Sequence, residues 1–485
     1  MMRLSNILTG INILELKGSL DIPINQINFD SRKVVNGDLF VAVKGTQADG
    51  HAYIEKAIEQ GAKAIVCQEL PARLNDTISY CVVADPAFAL GVIAHNYYDR
   101  PSDKIKLVGV TGTNGKTTVA TLLYQLFEGL GYHTGLLSTV QNKIGDRAIP
   151  STHTTPDPIS LNALLHEMVE EGCDYCFMEV SSHSIVQHRI SGLKFTGGLF
   201  TNISHDHLDF HLTFDNYIKA KKMFFDQLPK DAFALTNIDD KNGMVMLQNT
   251  KAYKKTYGIK SLADYNARII ENHFSGMLLN IDKEEVWVKL VGEFNAHNIL
   301  AVYSAAMLLD QDSKKVLTVL SRLKGAEGRF ETMISADNRV AIVDYAHTPD
   351  ALENVLLTIR QLRMNKVQII TVVGCGGDRD KSKRAVMAKV AVDLSDKVIL
   401  TSDNPRSEDP IAILKNMEAG IPSDMKRKSF TISDRREAIR AACHLAQEGD
   451  IILVAGKGHE TYQEIMGVKH PFDDREVLKE TFKEQ

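Results

Sequence analysis

The chain has 485 residues, 44% of them hydrophobic and 24% charged, enough apolar material for about three domains of ~150 residues each and too much for a single small module. A formal charge of -5 gives no overall attraction to nucleic acid or an anionic membrane and points to small-molecule substrates. The amino terminus has no basic segment followed by an apolar run, and no stretch approaches eighteen uninterrupted apolar residues, so a soluble, cytoplasmic protein without membrane insertion is expected.

From residue 1 to about 100, short β-branched runs (DLFVAVKG, AKAIVCQ, YCVVAD) alternate with helical spacing such as HAYIEKAIEQGA, which predicts a small α/β domain. After the punctuation at Arg100, Pro101 and Ser102, the run IKLVGVTGTNGKTTVATLLYQLFEGLGYHTGLLST reads strand, glycine-rich turn, helix, strand, the opening of a parallel layer. Strands are expected at DYCFMEV and GGLFTNI, a helix from about Phe214 to Leu228, and another in VGEFNAHNILAVYSAAMLLD, closing a second domain near Gly328. A third unit places strands at RVAIVDYA, VQIITVVG, DKVILTS and DIILVAGKG, each followed by a Gly-, Asp-, Asn- or Pro-rich loop. The fold class is therefore α/β in three domains, 1–100, 101–328 and 329–485, with a central parallel sheet of P-loop type and a Rossmann-like C-terminal unit. Six cysteines are too sparse for a disulfide scaffold. Cys173 and Cys176, spaced C-x-x-C, read as packed thiols, with a redox or zinc site as the alternative.

The sharpest local signal is Gly112-Thr113-Asn114-Gly115-Lys116-Thr117-Thr118 between an apolar strand and a helix, because bare N–H groups at a helix start cradle phosphates. Lys116 is expected on the β- and γ-phosphates and Thr117 on Mg²⁺. The strict pattern requires glycine where Val110 stands, so the loop is a shortened variant. Glu179, at the tip of DYCFMEV, is placed to complete magnesium coordination. The run His205-Asp206-His207-Leu208-Asp209-Phe210-His211 nearly spells a binuclear hydrolase motif, which Phe210 interrupts; a single magnesium-ligating histidine and a solvated cluster are the other readings. In the third unit, Arg379 of GCGGDRDKSKR and Arg406 of SDNPRSEDP follow strands and suit a carboxylate, or else make ordinary loop salt bridges. The sequence GKGHE adds Glu460 as an acceptor for a substrate ammonium.

Together these motifs resemble the Mur ligases over essentially the whole chain. The resemblance implies a uridine-nucleotide domain at 1–100, an ATP domain at 101–328 and an amino-acid domain at 329–485, working as a monomer. Ser31 in FDSRKVV, Thr154 and Thr155 in HTTPD, and Ser181, Gln187 and Arg189 in EVSSHSIVQHR match positions that hold the nucleotide-peptide substrate. Asn295 and Asn298 in EFNAHN, Arg329 in GRFE, and Asp344 with His347 in VDYAHTPD match ATP-side positions. Lys221 matches a lysine carboxylated on its amine, whose carbamate helps hold a second magnesium beside His207. Lys116, Glu179, His207 and Lys221 thus form the implied catalytic set, with Thr117, Glu179, His207 and the Lys221 carbamate on metal.

The implied reaction is ATP-dependent addition of an amino acid to UDP-N-acetylmuramoyl-L-alanyl-D-glutamate through an acyl phosphate. Lysine and meso-diaminopimelate differ by one carboxylate, so a site selecting the latter needs an additional cation. The segment Asp403-Asn404-Pro405-Arg406 matches the diaminopimelate-type motif, with Arg379, Gly456 and Glu460 as companions. A folylpolyglutamate synthetase shares the loop style but leaves the Ser31 region and DNPR without a purpose, and an ATP-binding regulator is the non-catalytic alternative.

Overall fold

Asp-Pro and Thr-Pro steps start many of the helices that separate the strands. Asp85, Asp157, Thr348 and Asp409 each accept hydrogen bonds from the first free N–H groups of the following turn, and Pro86, Pro158, Pro349 and Pro410 come next. Proline there forfeits only a donor that has no intrahelical partner anyway. The computed structural model describes residues 1–45, 48–151, 153–363 and 367–483.

In the first unit, β1 (Ile13–Lys17), β2 (Ile27–Asn28), β3 (Leu39–Val41), β4 (Ala64–Cys67) and β5 (Ser79–Val83) pair in the order β1-β5-β4-β3-β2, parallel except at β1. Helix α1 (Pro86–Tyr97) packs Ala89, Leu90, Ile93 and Ala94 against one face.

Among the described residues the central sheet has eleven strands. In chain order these are β6 (Lys106–Thr111), β7 (Thr134–Leu137), β8 (Gln141–Ile144), β9 (Arg147–Pro150), β10 (Tyr175–Glu179), β11 (Gly197–Phe200), β12 (Phe233–Asn237), β13 (Tyr253–Gly258), β14 (Tyr265–His273), β15 (Gly276–Ile281) and β16 (Glu284–Val288). Their order is β9-β8-β7-β10-β6-β11-β12-β13-β14-β15-β16, parallel from β7 to β14 and antiparallel at both ends. Side-chain alternation divides each strand between two cores. Val108, Val110 and Phe177 face α2 (Lys116–Gly129) and α7 (Glu293–Leu308), whereas Leu107, Cys176 and Met178 face α3 (Pro158–Glu170) and α6 (Phe214–Asp226). The expected helix at 214–228 ends at Asp226. The hairpin β8–β9 and the extension β14–β16 were not anticipated. Their residues alternate with polar ones and pack on one side only, giving weaker apolar runs than the buried parallel strands.

The third sheet contains β17 (Glu331–Ile334), β18 (Val340–Asp344), β19 (Ile369–Val373), β20 (Lys397–Leu400), β21 (Ser429–Thr431) and β22 (Ile451–Ala455), in the order β17-β18-β22-β19-β20-β21. It is wound on both faces: α8 (Pro349–Leu362), α9 (Ser382–Leu394) and α10 (Pro410–Glu418) lie on one side, α11 (Arg435–Leu445) and α12 (Asp474–Lys483) on the other. The hairpin β23 (Tyr462–Ile465) and β24 (Val468–Pro471) follows β22.

All six cysteines are free and buried. Burial pushes the Cys173 thiol up to about 11, the behaviour of packing thiols rather than reactive ones. Among the described residues, no helix is long and apolar enough to cross a membrane.

Candidate active site

The carboxyl ends of β6, β10 and β11 and the loops of the third sheet line one cleft of about 800 Å³. Val110, the residue that breaks the strict phosphate-loop pattern, is a fully buried residue of β6. The strand therefore runs on to Thr111, and the turn is compressed into Gly112–Gly115. A Cβ on Gly112 would lie 1.9 Å from Thr201 Oγ1, and one on Gly115, whose φ is +87°, would lie 2.7 Å from Asn298 Oδ1; neither position accommodates a side chain. The turn is fixed from the end of β11: Thr201 Oγ1 donates to Asn114 O at 2.6 Å, and Asn114 N donates to Asn202 Oδ1 at 2.9 Å. Thr113 Oγ1 accepts from Ser204 N at 3.0 Å and is hydrogen-bonded to Tyr217 OH at 3.0 Å. Thr118 is buried in the first turn of α2.

Two amines converge beside this turn. Lys116 Nζ donates to Gly112 O and Thr113 O, both at 2.8 Å, and Lys221 Nζ donates to the same Gly112 O at 2.8 Å. Lys221 is 1% exposed, lies over the Tyr217 ring, and is held well below the ordinary lysine range by burial and then by repulsion from Lys116. Burial also lowers Lys116, against the pull of Glu179 and Asp206. Glu179 is 1% exposed; its Oε1 accepts from Thr139 N at 2.8 Å, while Oε2 is buried with no partner among the described residues.

His207 sits in a left-handed backbone conformation at φ 54° before the short helix α5 (Leu208–His211). Burial drives its imidazole well below the ordinary histidine range although the Asp206 carboxylate stands 3.3 Å away, which favours the neutral ring. The rest of HDHLDFH disperses. His205 and Asp209 are exposed, and His211 Nε2 is hydrogen-bonded to Ser182 Oγ at 2.9 Å. His183 lies against Phe210, with ring centres 4.2 Å apart and planes tilted by 38°. Among the described residues no group of three or more His, Cys, Asp and Glu side chains could hold a metal ion, which removes the support for the binuclear reading. An orphan carboxylate oxygen on Glu179, the Thr117 hydroxyl and a neutral His207 instead suit an oxygen-seeking cation that keeps water and phosphate in its shell.

Next to Glu179, Thr155 Oγ1 donates to Glu179 O at 2.8 Å, and Thr139 Oγ1 donates to Thr154 Oγ1 at 3.1 Å. Ser181 caps the short helix α4 (Ser182–Val186), its Oγ accepting from Ser184 N at 3.1 Å. Arg189 is clamped to Thr155 O at 2.8 Å and to Gln187 Oε1 at 2.6 and 3.0 Å. Thr154, Thr155, Ser181 and Arg189 line the cleft and Gln187 stands behind Arg189. Ser31 does not line it: it opens a 3₁₀ turn of the first unit, 6% exposed.

The third unit closes on the loop through contacts that sequence reading had no means of pairing. Asp350 Oδ2, in the first turn of α8, accepts from Asn114 Nδ2 and Ser204 Oγ, both at 2.8 Å. Arg329 lies over the Tyr345 ring and donates to Thr117 Oγ1 at 3.2 Å. Asp344 is buried behind Arg329, accepts from Phe330 N at 2.7 Å, and is pushed up to about 6 by burial. Asn295 and Asn298 are hydrogen-bonded to each other at 3.0 Å in α7, behind Gly115 rather than in the cleft wall. His347 lines the cleft.

On the opposite wall, Arg379 and Arg406 approach from the loops after β19 and β20. Arg406 adopts φ 52° and donates from Nη1 to Gly377 O at 2.7 Å. The hairpin fixes this backbone: Arg406 N donates to Glu464 O at 3.0 Å and Met466 N to Arg406 O at 2.6 Å. Behind it, fully buried Arg384 grips Glu408 Oε1 at 2.8 Å, Glu408 Oε2 at 3.1 Å and Asn416 Oδ1 at 2.9 Å. The hydrogen bonds from Arg384 hold the Glu408 carboxyl down at about 2. Asp403 Oδ1 accepts from Asn404 N at 2.6 Å, and Gly456 N donates to Asp344 O at 3.0 Å. Pro405 stiffens the turn and leaves its side chain outside the cleft, while Asp403, Asn404, Gly456 and Glu460 line it.

Residues 23–98 match the Mur ligase family catalytic domain, 110–306 the Mur ligase middle domain and 328–458 the Mur ligase glutamate ligase domain. The chain belongs to the Mur ligase family. It is 57% identical over 481 residues, 99% of each chain, to the UDP-N-acetylmuramoyl-L-alanyl-D-glutamate--2,6-diaminopimelate ligase of Bacteroides fragilis, and 57% identical over 482 residues, again 99% of each, to the enzyme of that name in Cytophaga hutchinsonii. A solved structure of a ligase with the same name superposes with a TM-score of 0.71 at 33% identity, covering 100% of this chain and 99% of that one.

Proposed function

We propose that this chain is the ATP-dependent, ADP-forming ligase that adds meso-diaminopimelate to UDP-N-acetylmuramoyl-L-alanyl-D-glutamate in peptidoglycan precursor synthesis, as a cytoplasmic monomer. The observation that carries this reading is the arrangement of one cleft: a phosphate loop with two amines on one wall and two loop arginines with a carboxylate on the other. Residues 1–100 would bind the uridine nucleotide, with Ser31 as a contact, 101–328 would bind ATP, and 329–485 the amino acid.

The γ-phosphoryl group of ATP passes to the D-glutamate γ-carboxylate, breaking the bond to the bridging oxygen of ADP and giving an acyl phosphate. The loop N–H groups and Lys116 hold the transferring charge, and Arg329, oriented over Tyr345, adds a second cation. The amine of diaminopimelate then attacks the acyl carbon; the C–N bond forms, the amine loses a proton, and phosphate leaves. Arg406 and Arg379 hold the distal carboxylate, and positioning supplies much of the rate. Mg²⁺, for which Thr117, Glu179 and His207 are the donors at hand, would neutralise phosphate charge when bound. The low basicity of Lys221 favours the free amine that carboxylation requires, and the resulting carbamate would join this group.

The test is release of ADP in the presence of each substrate combination. Turnover that requires both the nucleotide-dipeptide and diaminopimelate supports the reading. ADP release without the amino acid, or with lysine equally well, contradicts it.

A further inference from the structure

Within GKGHE, the lysine rather than the glutamate is the fully buried residue: Lys457 is 0% exposed. Its ammonium has three donors and spends them on Glu460 Oε2 at 3.1 Å, Asn404 Oδ1 at 3.2 Å and the carbonyl of Tyr462. Asn404 closes the ring by donating from Nδ2 to the same Glu460 Oε2 at 2.7 Å, and its Oδ1 accepts a second bond from Glu464 N at 2.9 Å. Glu460 Oε2 therefore carries two donors, one of them charged. Glu460 lines the cleft, and no hydrogen bond to its Oε1 joins it to the rest of the described chain.

Resting on the amino-acid-pocket reading above, we propose that Lys457 is a positioning residue that divides the Glu460 carboxylate. It locks Oε2 into the protein and presents Oε1 as the acceptor for an ammonium of the incoming amino acid. The physical reason is geometric as much as electrostatic. A carboxylate on a two-carbon stem beside open space has several rotamers, and only one that is pinned at a single oxygen aims the other without paying for ordering when the substrate arrives. Asn404 is part of the clamp through its carbonyl oxygen, which takes both Lys457 Nζ and Glu464 N, and through one of its two amide N–H groups. Lys457 does not touch the substrate; it acts through Glu460.

The proposal is tested by a double-mutant cycle with Lys457→Met, Glu460→Gln and the combination, measuring KM for diaminopimelate at saturating ATP and nucleotide-dipeptide. Glu460→Gln should raise that KM. Lys457→Met should raise it roughly tenfold to a hundredfold, the range expected when a hydrogen bond to a charged group is lost, with a smaller fall in kcat and unchanged KM for ATP. In the Glu460→Gln background the same change should add less than about threefold, because the group it positions is gone. An equal factor in both backgrounds, or an unchanged KM in Lys457→Met when Glu460→Gln has raised it, overturns the proposal. If Glu460→Gln itself leaves the KM at the parental value, the ammonium-acceptor reading falls and this proposal with it. Should Lys457→Met fail to fold, Lys457→Gln, neutral and polar in the same space, takes its place in the cycle with the same expectations.

Discussion

The two walls of the cleft solve the same problem, holding charge still, by different means. The phosphate-loop wall is made of consecutive residues, Gly112 to Thr118, whose backbone groups are pinned by Thr201 and Asn202 and beside which Lys116 and Lys221 crowd onto one carbonyl. The opposite wall, proposed to take the amino acid, is made of residues brought together from β19, β20, β22 and the β23–β24 hairpin, and its cleft-facing groups are backed by buried cations: Arg384 on Glu408, and Lys457 on Glu460. Adjacent residues suffice where the ligand is a phosphate chain that backbone N–H groups can cradle. Discriminating one carboxylate from none requires fixed side chains, and those need supports of their own.

If that contrast is right, damage to the first wall should stop chemistry and damage to the second should change selection. The largest loss is expected for Lys116→Ala: kcat should fall by at least about a hundredfold, as for removal of a transition-state charge contact, while the fold is retained. Near-parental ADP production by a folded variant would contradict the loop assignment. Lys221→Ala should come next, nearly inactive and partly restored by short-chain carboxylates, whereas added bicarbonate should raise activity only in the parent. Parental activity of that variant at low Mg²⁺ would end the carbamate reading.

On the second wall, Arg384→Met takes its buried guanidinium partner from Glu408, which is half-buried and keeps Asp378 N and Lys381. It should destabilise the protein by ~2 kcal/mol, as for lost hydrogen bonds between charged groups, and raise KM for diaminopimelate by about tenfold, with KM for ATP unmoved. Equal shifts in both constants would mean that the pair supports the whole unit rather than the loop. The smallest effect concerns Asp344, whose carboxyl is raised from 3.8 to about 6 by burial. The charged form is the costly one here, so the penalty is fully present above about pH 6 and is relieved as pH falls from there toward 3.8. Asp344→Asn should therefore melt higher than the parent at pH 8, by the equivalent of ~2 kcal/mol, with the gain fading across that window. A difference independent of pH would contradict the burial argument.

These contrasts also explain what could be read without coordinates. The strands that sheet burial makes continuously apolar, such as Tyr175–Glu179 and Ile451–Ala455, stood out, and so did the phosphate loop, whose signal lies within seven residues. The antiparallel extension β14–β16 did not, because only one of its faces is buried. Asp350 passed unnoticed because its partner Asn114 lies 236 residues away, and no local pattern marks such a pair. Lys457 was visible as a letter in GKGHE, yet its burial depends on Asn404, 53 residues earlier. Ser181 and Asn404 both line the cleft, as their motifs led one to expect, and each also holds its own surroundings: Ser181 caps a helix and Asn404 bonds Glu460.

The most direct test of the account is a competition between meso-diaminopimelate and lysine at fixed ATP and nucleotide-dipeptide, with both products read by mass, in the parent and in Arg406→Ala. Arg406 is the cation assigned to the distal carboxylate, so its loss should cost ~2–4 kcal/mol for diaminopimelate, roughly thirty- to a thousandfold in kcat/KM. Lysine should lose little, and the preference should narrow while KM for ATP stays at its parental value. Equal losses for the two amino acids, or an unchanged preference, would contradict the claim that this wall selects by charge.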